Sequence, residues 1–266
     1  MDKSKSASSG FFKILEKIIR SHPLIYFVAR YLVRFTNIFE DDAHGVVLLN
    51  FKKKINIIDV GASDGIAAKF FIKKLDVNKI ICFEPNQAYV NILKGLNFNN
   101  LIVYPYGISH LGEKHTIYYP RYKFFKKNLD LITYTFYKKK RLLEQLEIDF
   151  KFKKNLSILK KSIYLKKVQK INYKISLIKI DVNGHEFSIV KGLREIIKRD
   201  KPAMLIETDT TSLDKENNKI ANFLKKFNYE KYEFSKSGRS FSKIKSRYPL
   251  NTYFLQKDHL KFIKKS

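Results

Sequence analysis

The chain has 266 residues, 44% of them hydrophobic, which suits one α/β domain with an extension and is too apolar for a disordered chain. Its single cysteine, Cys82, excludes a disulfide framework and a cysteine-rich metal centre, and favours a reducing compartment. The net charge of +28 directs attention to nucleic acid or an anionic membrane, but 44 of the 53 basic residues are lysines spread along the chain, so they read as solvated faces with a general, salt-screened attraction for acidic partners.

Met1 to Gly10 is polar and reads as a disordered tail, without the apolar core or cleavage site of a secretory signal. Residues 11–48 read as a helical extension. Phe11, Ile14, Leu15 and Ile18 share one helical face. Ser21-His22-Pro23 restarts a helix, and Leu24, Ile25, Val28, Tyr31, Leu32 and Phe35 form a second stripe. Phe11–Phe35 suits either a helix pair packed on the main domain or a basic amphipathic anchor on an anionic membrane. Its longest uncharged run, Ser21 to Ala29, is too short to span a bilayer.

Ile55, Ile57, Ile58 and Val60 predict a buried strand, interrupted by Asp59 and stopped by the turn Gly61-Ala62-Ser63-Asp64-Gly65. A helix follows from Ile66. Strand, glycine turn and helix in that order predict backbone N–H groups arranged around a small ligand. Asp59 is an odd neighbour for a phosphate and a good one for an amino group or a sulfonium. Lys79 to Phe83 is a second buried strand, and Glu84 at its end is placed to grip both hydroxyls of a ribose. The turn is not Gly-x-Gly-x-x-Gly, which argues against a nicotinamide or flavin dinucleotide. Turn and acid together point to an adenosine-containing ligand, S-adenosylmethionine (SAM).

Asn86 to Leu96 predicts a helix, and Leu101 to Ser109 a strand with the loop bordering the ligand cleft. Thr116 to Tyr119 reads as a strand. Residues 120–175 exceed a plain connection and read as a substrate lid, with a helix over Tyr137–Leu146 and short strands after it. Basic and aromatic residues alternate there, which suits either a solvated helix face or contact with a sugar or polyanion. Leu177 to Asp181 is a strand ending in an acid, and Phe187 to Lys198 a helix. Pro202 to Glu207, Asn217 to Phe227, Tyr229 to Phe234 and Asn251 to Leu255 complete an alternation of strands and helices. The tail from Lys257 reads as solvated. No group of His, Cys or acid residues has metal-ligand spacing, so no metal is expected.

Ile58-Asp-Val-Gly-Ala-Ser-Asp-Gly65, Phe83-Glu-Pro85, Tyr106-Gly-Ile-Ser109, Lys179-Ile-Asp-Val-Asn-Gly-His-Glu186, Lys191-Gly192 and Leu205-Ile-Glu207 together resemble the FkbM family of SAM-dependent methyltransferases. The resemblance implies a Rossmann-like class I methyltransferase fold over residues 49–257. That fold is a doubly wound, mostly parallel seven-stranded sheet with an antiparallel edge; residues 258–266 form a basic tail. It also implies O-methyl transfer to a hydroxyl of a sugar, surface glycan or related natural product. The single cysteine and the basic amphipathic stretch Phe11–Phe35 set the expected location in the cytoplasm or at the inner face of the membrane. The region after Tyr119 and Asn251-Thr-Tyr-Phe254 resemble the polysaccharide-associated branch. Asn183 stands where the family commonly has Glu or Gln, and Gln169-Lys170 where it often has a pair of Asp.

On this reading Asp59, Gly61, Ala62, Ser63 and Gly65 surround the methionine end of SAM, Glu84 holds the ribose, and Tyr106 and Gly107 lie near the adenine. Asp181 contacts the methionine moiety or the acceptor. His185 is the candidate general base, with Glu186 and Glu207 as alternatives. Two rival classes remain: a nucleic-acid methyltransferase, disfavoured by Asp181-Val-Asn-Gly where base N-methylating enzymes carry a Pro-Pro-aromatic turn, and a non-catalytic glycan- or membrane-associated member of the fold.

Overall fold

A computed structural model of the chain describes residues 22–33, 41–51, 53–151, 153–208, 214–235, 237 and 239–260. The expected polar tail, the first amphipathic face at 11–18 and the last basic residues lie outside these. Two compact units divide the chain: residues 1–36 with 116–162, and residues 37–115 with 163–266.

The larger unit is built on an eight-stranded sheet. In chain order its first strands are β1 (Ile55–Val60), β2 (Val77–Phe83) and β3 (Leu101–Tyr104). The short β4 (Gly107–Ser109) leaves this sheet and pairs in parallel with residues 165–167. Further along come β8 (Leu177–Ile180), β9 (Ala203–Glu207), β10 (Glu230–Ser235), β11 (Ser240–Lys243) and β12 (Asn251–Leu255). Their order across the sheet is β11-β10-β12-β9-β8-β1-β2-β3. The strands from β3 to β9 run parallel; β12, β10 and β11 pair antiparallel. This is the expected doubly wound sheet with one strand more than the seven foreseen. The addition is β11, whose Ser-Phe-Ser-Lys carries too little apolar alternation to signal a strand.

Side chains alternate across each strand, so the sheet has two cores. On one face Ile58, Val60, Ile81, Ile178, Ile180, Met204 and Ile206 pack with Ile189, Val190, Leu193, Ile197, Ile220 and Leu224. On the other, Ile55, Ile57, Ile80, Cys82, Leu177, Leu205 and Tyr253 pack with Ala67, Ala68, Phe70 and Phe71. The helix expected over Phe187–Lys198 is two, Glu186–Gly192 and Arg194–Asp200. A side chain at Gly192 would meet the Ser109 backbone at 3.1 Å, so a close crossing sits at the break. The 3-10 turn Asp41–Leu48 sends Ala43 and Val46 wholly into the second core and therefore belongs to this unit, not to an appended extension. The expected solvated tail is also tied down where it begins: His259 hydrogen-bonds to the Lys201 carbonyl at 3.0 Å and accepts from the Gln256 N–H at 2.9 Å.

The smaller unit contains helix α1 (Pro23–Val33), the last part of β5 (Lys114–Phe124), β6 (Lys127–Asp130), a helix at Lys139–Asp149 and the start of β7 (Leu156–Lys167). A single long β7 replaces the short strands expected there. Leu131, Tyr134, Leu142, Leu146 and Phe150 make its core, with the buried Tyr134 hydroxyl donating to Asp149 at 2.9 Å. Tyr26 of α1 joins this core, 4.9 Å from Tyr134 ring to ring and hydrogen-bonded to Thr133. Ile25, Val28, Tyr31 and Leu32 of the same helix stay exposed.

Candidate active site

The alternation that builds the core also gathers the charges. Ile55, Ile57 and Asp59 share a face of β1; Ile80, Cys82 and, one step past the end, Glu84 share it on β2; Leu177, Lys179 and then Asp181 share it on β8. In-register pairing sets Asp59 between Lys179 and Cys82. Glu84 and Asp181 follow the carboxyl ends of strands that flank β1, the edge where open α/β sheets take ligands.

Asp59 itself is wholly buried. Lys179, 5% exposed, reaches Asp59 Oδ1 at 3.5 Å and Asp181 Oδ2 at 3.1 Å. Burial pushes the Asp59 carboxyl up from its ordinary range, against the pull of the Lys179 ammonium. Of the three charges only Asp181 reaches the surface, its side chain 34% exposed. Asp59, expected at the ligand, instead lies behind Lys179, because it sits inside β1 between Cys82 and Lys179, whereas Glu84 and Asp181 on the same face lie past the ends of their strands. Lys179 was missed as a site residue, although a lysine inside Leu-Ile-Lys-Ile is itself a signal of a buried partner.

The glycine turn also differs from expectation. The N–H groups of Gly61 and Ala62 donate to the Phe83 carbonyl at 3.0 and 3.4 Å, that of Ser63 to Glu84 Oε2 at 2.9 Å, and that of Gly65 to the Ala62 carbonyl at 3.0 Å. The first three donors hold the turn against the end of β2 and the fourth closes it on itself, so these N–H groups are engaged within the protein. Gly61, at φ +78°, is required by packing: a Cβ there would lie 1.9 Å from the Asp181 carbonyl oxygen. The turn after β1 and the turn after β8 thus touch backbone to backbone.

Glu84 ties this arrangement together. Its Oε2 accepts from Ser63 and its Oε1 from the Asn86 N–H at 2.8 Å, so the carboxylate links the glycine turn to the chain after β2. It is 6% exposed, and burial raises its pKa to about 7 although both N–H bonds act to lower it. Each oxygen keeps a second lone pair for a further donor.

Tyr106 and Gly107 are not brought to this face. The Tyr106 ring packs with Phe83 and Tyr104 against the opposite core and carries the Lys166 ammonium over it at 4.3 Å. A Cβ at Gly107 would meet Leu165 at 2.6 Å. Both positions are occupied by packing between the β3–β4 loop and β7.

The turn after β8 is closed by its own backbone. Asn183 has φ +58° and Gly184 φ +113°, and the Gly184 N–H donates to both Glu186 oxygens at 2.9 and 3.1 Å. Asparagine tolerates this left-handed conformation better than most residues with a side chain. Glu186 therefore serves the turn and the first turn of its helix. His185, 12% exposed, lies 3.7 Å from Glu113 Oε1, with its ring 4.7 Å from that of His115. Burial, helped by His115, lowers the His185 pKa to about 4, so the ring is neutral at neutral pH. Glu113, His115 and His185 bring metal-type donor atoms within 4.8 Å of one another, a cluster that spacing along the chain does not reveal.

The sequence profile of the methyltransferase FkbM domain matches residues 59–232, well over half of the chain. No curated protein matches it. Among solved structures it is similar to the methyltransferase FkbM from Methylobacillus flagellatus KT, at 20% identity and TM-score 0.46 over 78% of this chain; it spans 45% of the length of that one. It is also similar to a putative methyltransferase from Streptococcus mutans in complex with SAH, at 12% identity and TM-score 0.42, over 82% of this chain and 98% of that one. With the domain profile running from Asp59 through the turn after β8 and on into β10, the chain belongs to the FkbM family of S-adenosylmethionine-dependent methyltransferases.

Proposed function

We propose that this methyltransferase acts on a hydroxyl of a sugar or surface glycan. The observation that carries the methyl-donor half of the reading is the pair of acids at the tips of β2 and β8, Glu84 and Asp181, on either side of the Gly61–Gly65 turn. Glu84 has the chemistry to receive two ribose hydroxyls, since each oxygen holds one backbone N–H and retains acceptor capacity. Asp181 offers a negative charge to the amino group or sulfonium of the methionine end. SAM, when bound, supplies an electrophilic methyl carbon on a good leaving group. The family supplies the expectation of a glycan hydroxyl. Asp181-Val182-Asn183-Gly184, closed on itself, lacks the stacking aromatic that a flipped base would need.

In this reading an acceptor hydroxyl would be held in line with the methyl group that SAM supplies, and a group on the β8 turn would take its proton. His185 and Asp181 are the two candidates. A weakly basic imidazole suffices for a late transfer, because an oxygen already forming a bond to methyl is strongly acidic. Alignment of the hydroxyl supplies most of the remaining acceleration. The exposed apolar side chains of α1 support a second contact, with an anionic membrane surface where glycans are assembled. Among the described residues no helix is long and apolar enough to cross a membrane.

The test is transfer of labelled methyl from SAM to a panel of nucleotide sugars, oligosaccharides and RNA. Label appearing as an O-methyl ether on a sugar supports the proposal. Label on base nitrogens of RNA, surviving physiological salt, overturns it.

A further inference from the structure

We infer that Glu113, His115 and His185 form a binding site for a divalent transition-metal ion of the zinc class. Glu113 and His115 are two residues apart on extended chain where β5 begins, so their side chains leave on the same side. The Glu113 backbone is fixed there, its carbonyl accepting from the Leu165 N–H at 2.9 Å. His185 arrives from the other direction, capping the helix after β8. Glu113 Oε1 stands 3.7 Å from His185 Nε2 and 4.0 Å from His115 Nε2. Two donors on a tetrahedral zinc ion are roughly 3.4 Å apart, so small side-chain rotations close the set. All three side chains are at least two-thirds buried, at 32%, 33% and 12% exposure.

The donor set selects the ion. Two imidazoles and one carboxylate suit zinc, manganese, iron or cobalt and are poor for calcium or magnesium, which prefer oxygen. His110 is not counted, because Ser188 at 2.8 Å and Lys191 at 3.1 Å engage its two nitrogens. Three protein ligands leave a coordination position open for water or a substrate oxygen, the pattern of catalytic rather than structural zinc. An ion on His185 Nε2 excludes that nitrogen as a base and leaves Asp181, four positions earlier on the same turn, to take a proton. The site stands whether or not the acceptor is a glycan.

The experiment is titration of the tag-free, chelator-treated full chain with Zn²⁺ by calorimetry and with Co²⁺ by visible absorption. One equivalent is expected, with a Co²⁺ spectrum of low coordination number. Glu113→Gln and His115→Ala should each weaken binding about tenfold or more, while circular dichroism stays native. Absence of saturable binding by the wild type, or wild-type stoichiometry and affinity in both variants, overturns the site and makes the cluster ordinary ring packing. Should one variant fail to fold, the other decides, together with a rise in the wild-type melting temperature on adding Zn²⁺.

Discussion

Glu84→Gln separates the two jobs of the residue that links the glycine turn to β2. In the wild type the folded carboxyl has a pKa of about 7 against an ordinary value of 4.5, chiefly because of burial. Between those values the native state binds more protons than the unfolded chain at this group, so Glu84's contribution to stability is greatest below pH 4.5 and is lost as pH rises towards 7. The full loss is about 3 kcal/mol. Glutamine removes this titration. Its single carbonyl oxygen replaces one of the two acceptors that Ser63 and Asn86 use, which costs about 1–3 kcal/mol for the orphaned donor. Above pH 7 the lost burial penalty and the lost hydrogen bond offset one another; near pH 5 the variant is the less stable protein. Urea unfolding at both ends of the range reads this directly. Calorimetry with SAM at pH 8 reads the second job: losing the charged acceptor for ribose costs about 1.5–3 kcal/mol, or about 10- to 150-fold in Kd. An equal pH slope in variant and wild type refutes the burial argument, and an unchanged Kd refutes the ribose assignment.

Other substitutions probe the neighbouring contacts. Lys179→Met leaves Asp59 buried without its cation and should cost about 3–5 kcal/mol in urea unfolding, part of it recovered by adding Asp59→Asn; wild-type stability would show that the pair is not coupled. Gly61→Ala sets a Cβ against the Asp181 carbonyl and should cost at least about 1–3 kcal/mol from backbone strain, seen as a lowered melting temperature with loss of SAM binding. His185→Ala should lower turnover, by about 10²–10⁴-fold where the ring acts as base and by about 10- to 100-fold where it holds the inferred ion, with SAM affinity largely intact; full turnover would remove His185 from the chemistry.

Much of this arrangement was legible along the chain. β1, β2, β8, β9 and β12 are short apolar runs bounded by turns, and the acids that end three of them mark the sheet's carboxyl edge. The reading failed where a residue type suggested one environment and its place in the sheet dictated another. Asp59 looks like a ligand group by type, but it lies within β1, paired on both sides, while Glu84 and Asp181 on the same face lie beyond their strands. The turn glycines look like a ligand cradle, yet Gly61 is needed where two backbones meet, a contact 120 residues away in sequence that no local pattern reports. Tyr106 fails for the same reason, since its neighbours on β2 and β3 commit it to the opposite face. Glu113 and His115 sit together where β5 begins, but His185 comes from the turn after β8 and is joined to them only by the fold, so spacing along the chain did not mark the set. Lys179 could have been found: a lysine in an otherwise apolar strand predicts a buried acid beside it, and Asp59 is its in-register neighbour.

These buried charges oppose one another in a way that bears on ligand binding. Lys179 lies against Asp59 on its inner side and Asp181 on its outer side, so much of the negative field at the sheet edge is cancelled before a ligand arrives. Glu84 is the group whose charge remains adjustable near neutral pH, because burial holds its pKa near 7. Ionised Glu84 is unfavourable in the free protein and favourable once hydroxyl donors engage its remaining lone pairs. Ligand binding must then lower its pKa and release protons, so SAM affinity should rise as pH climbs towards 7 and level off above it, over the range where stability falls. The same ionisation weakens the free fold and completes the site, which requires that saturating SAM flatten the stability–pH slope through Glu84.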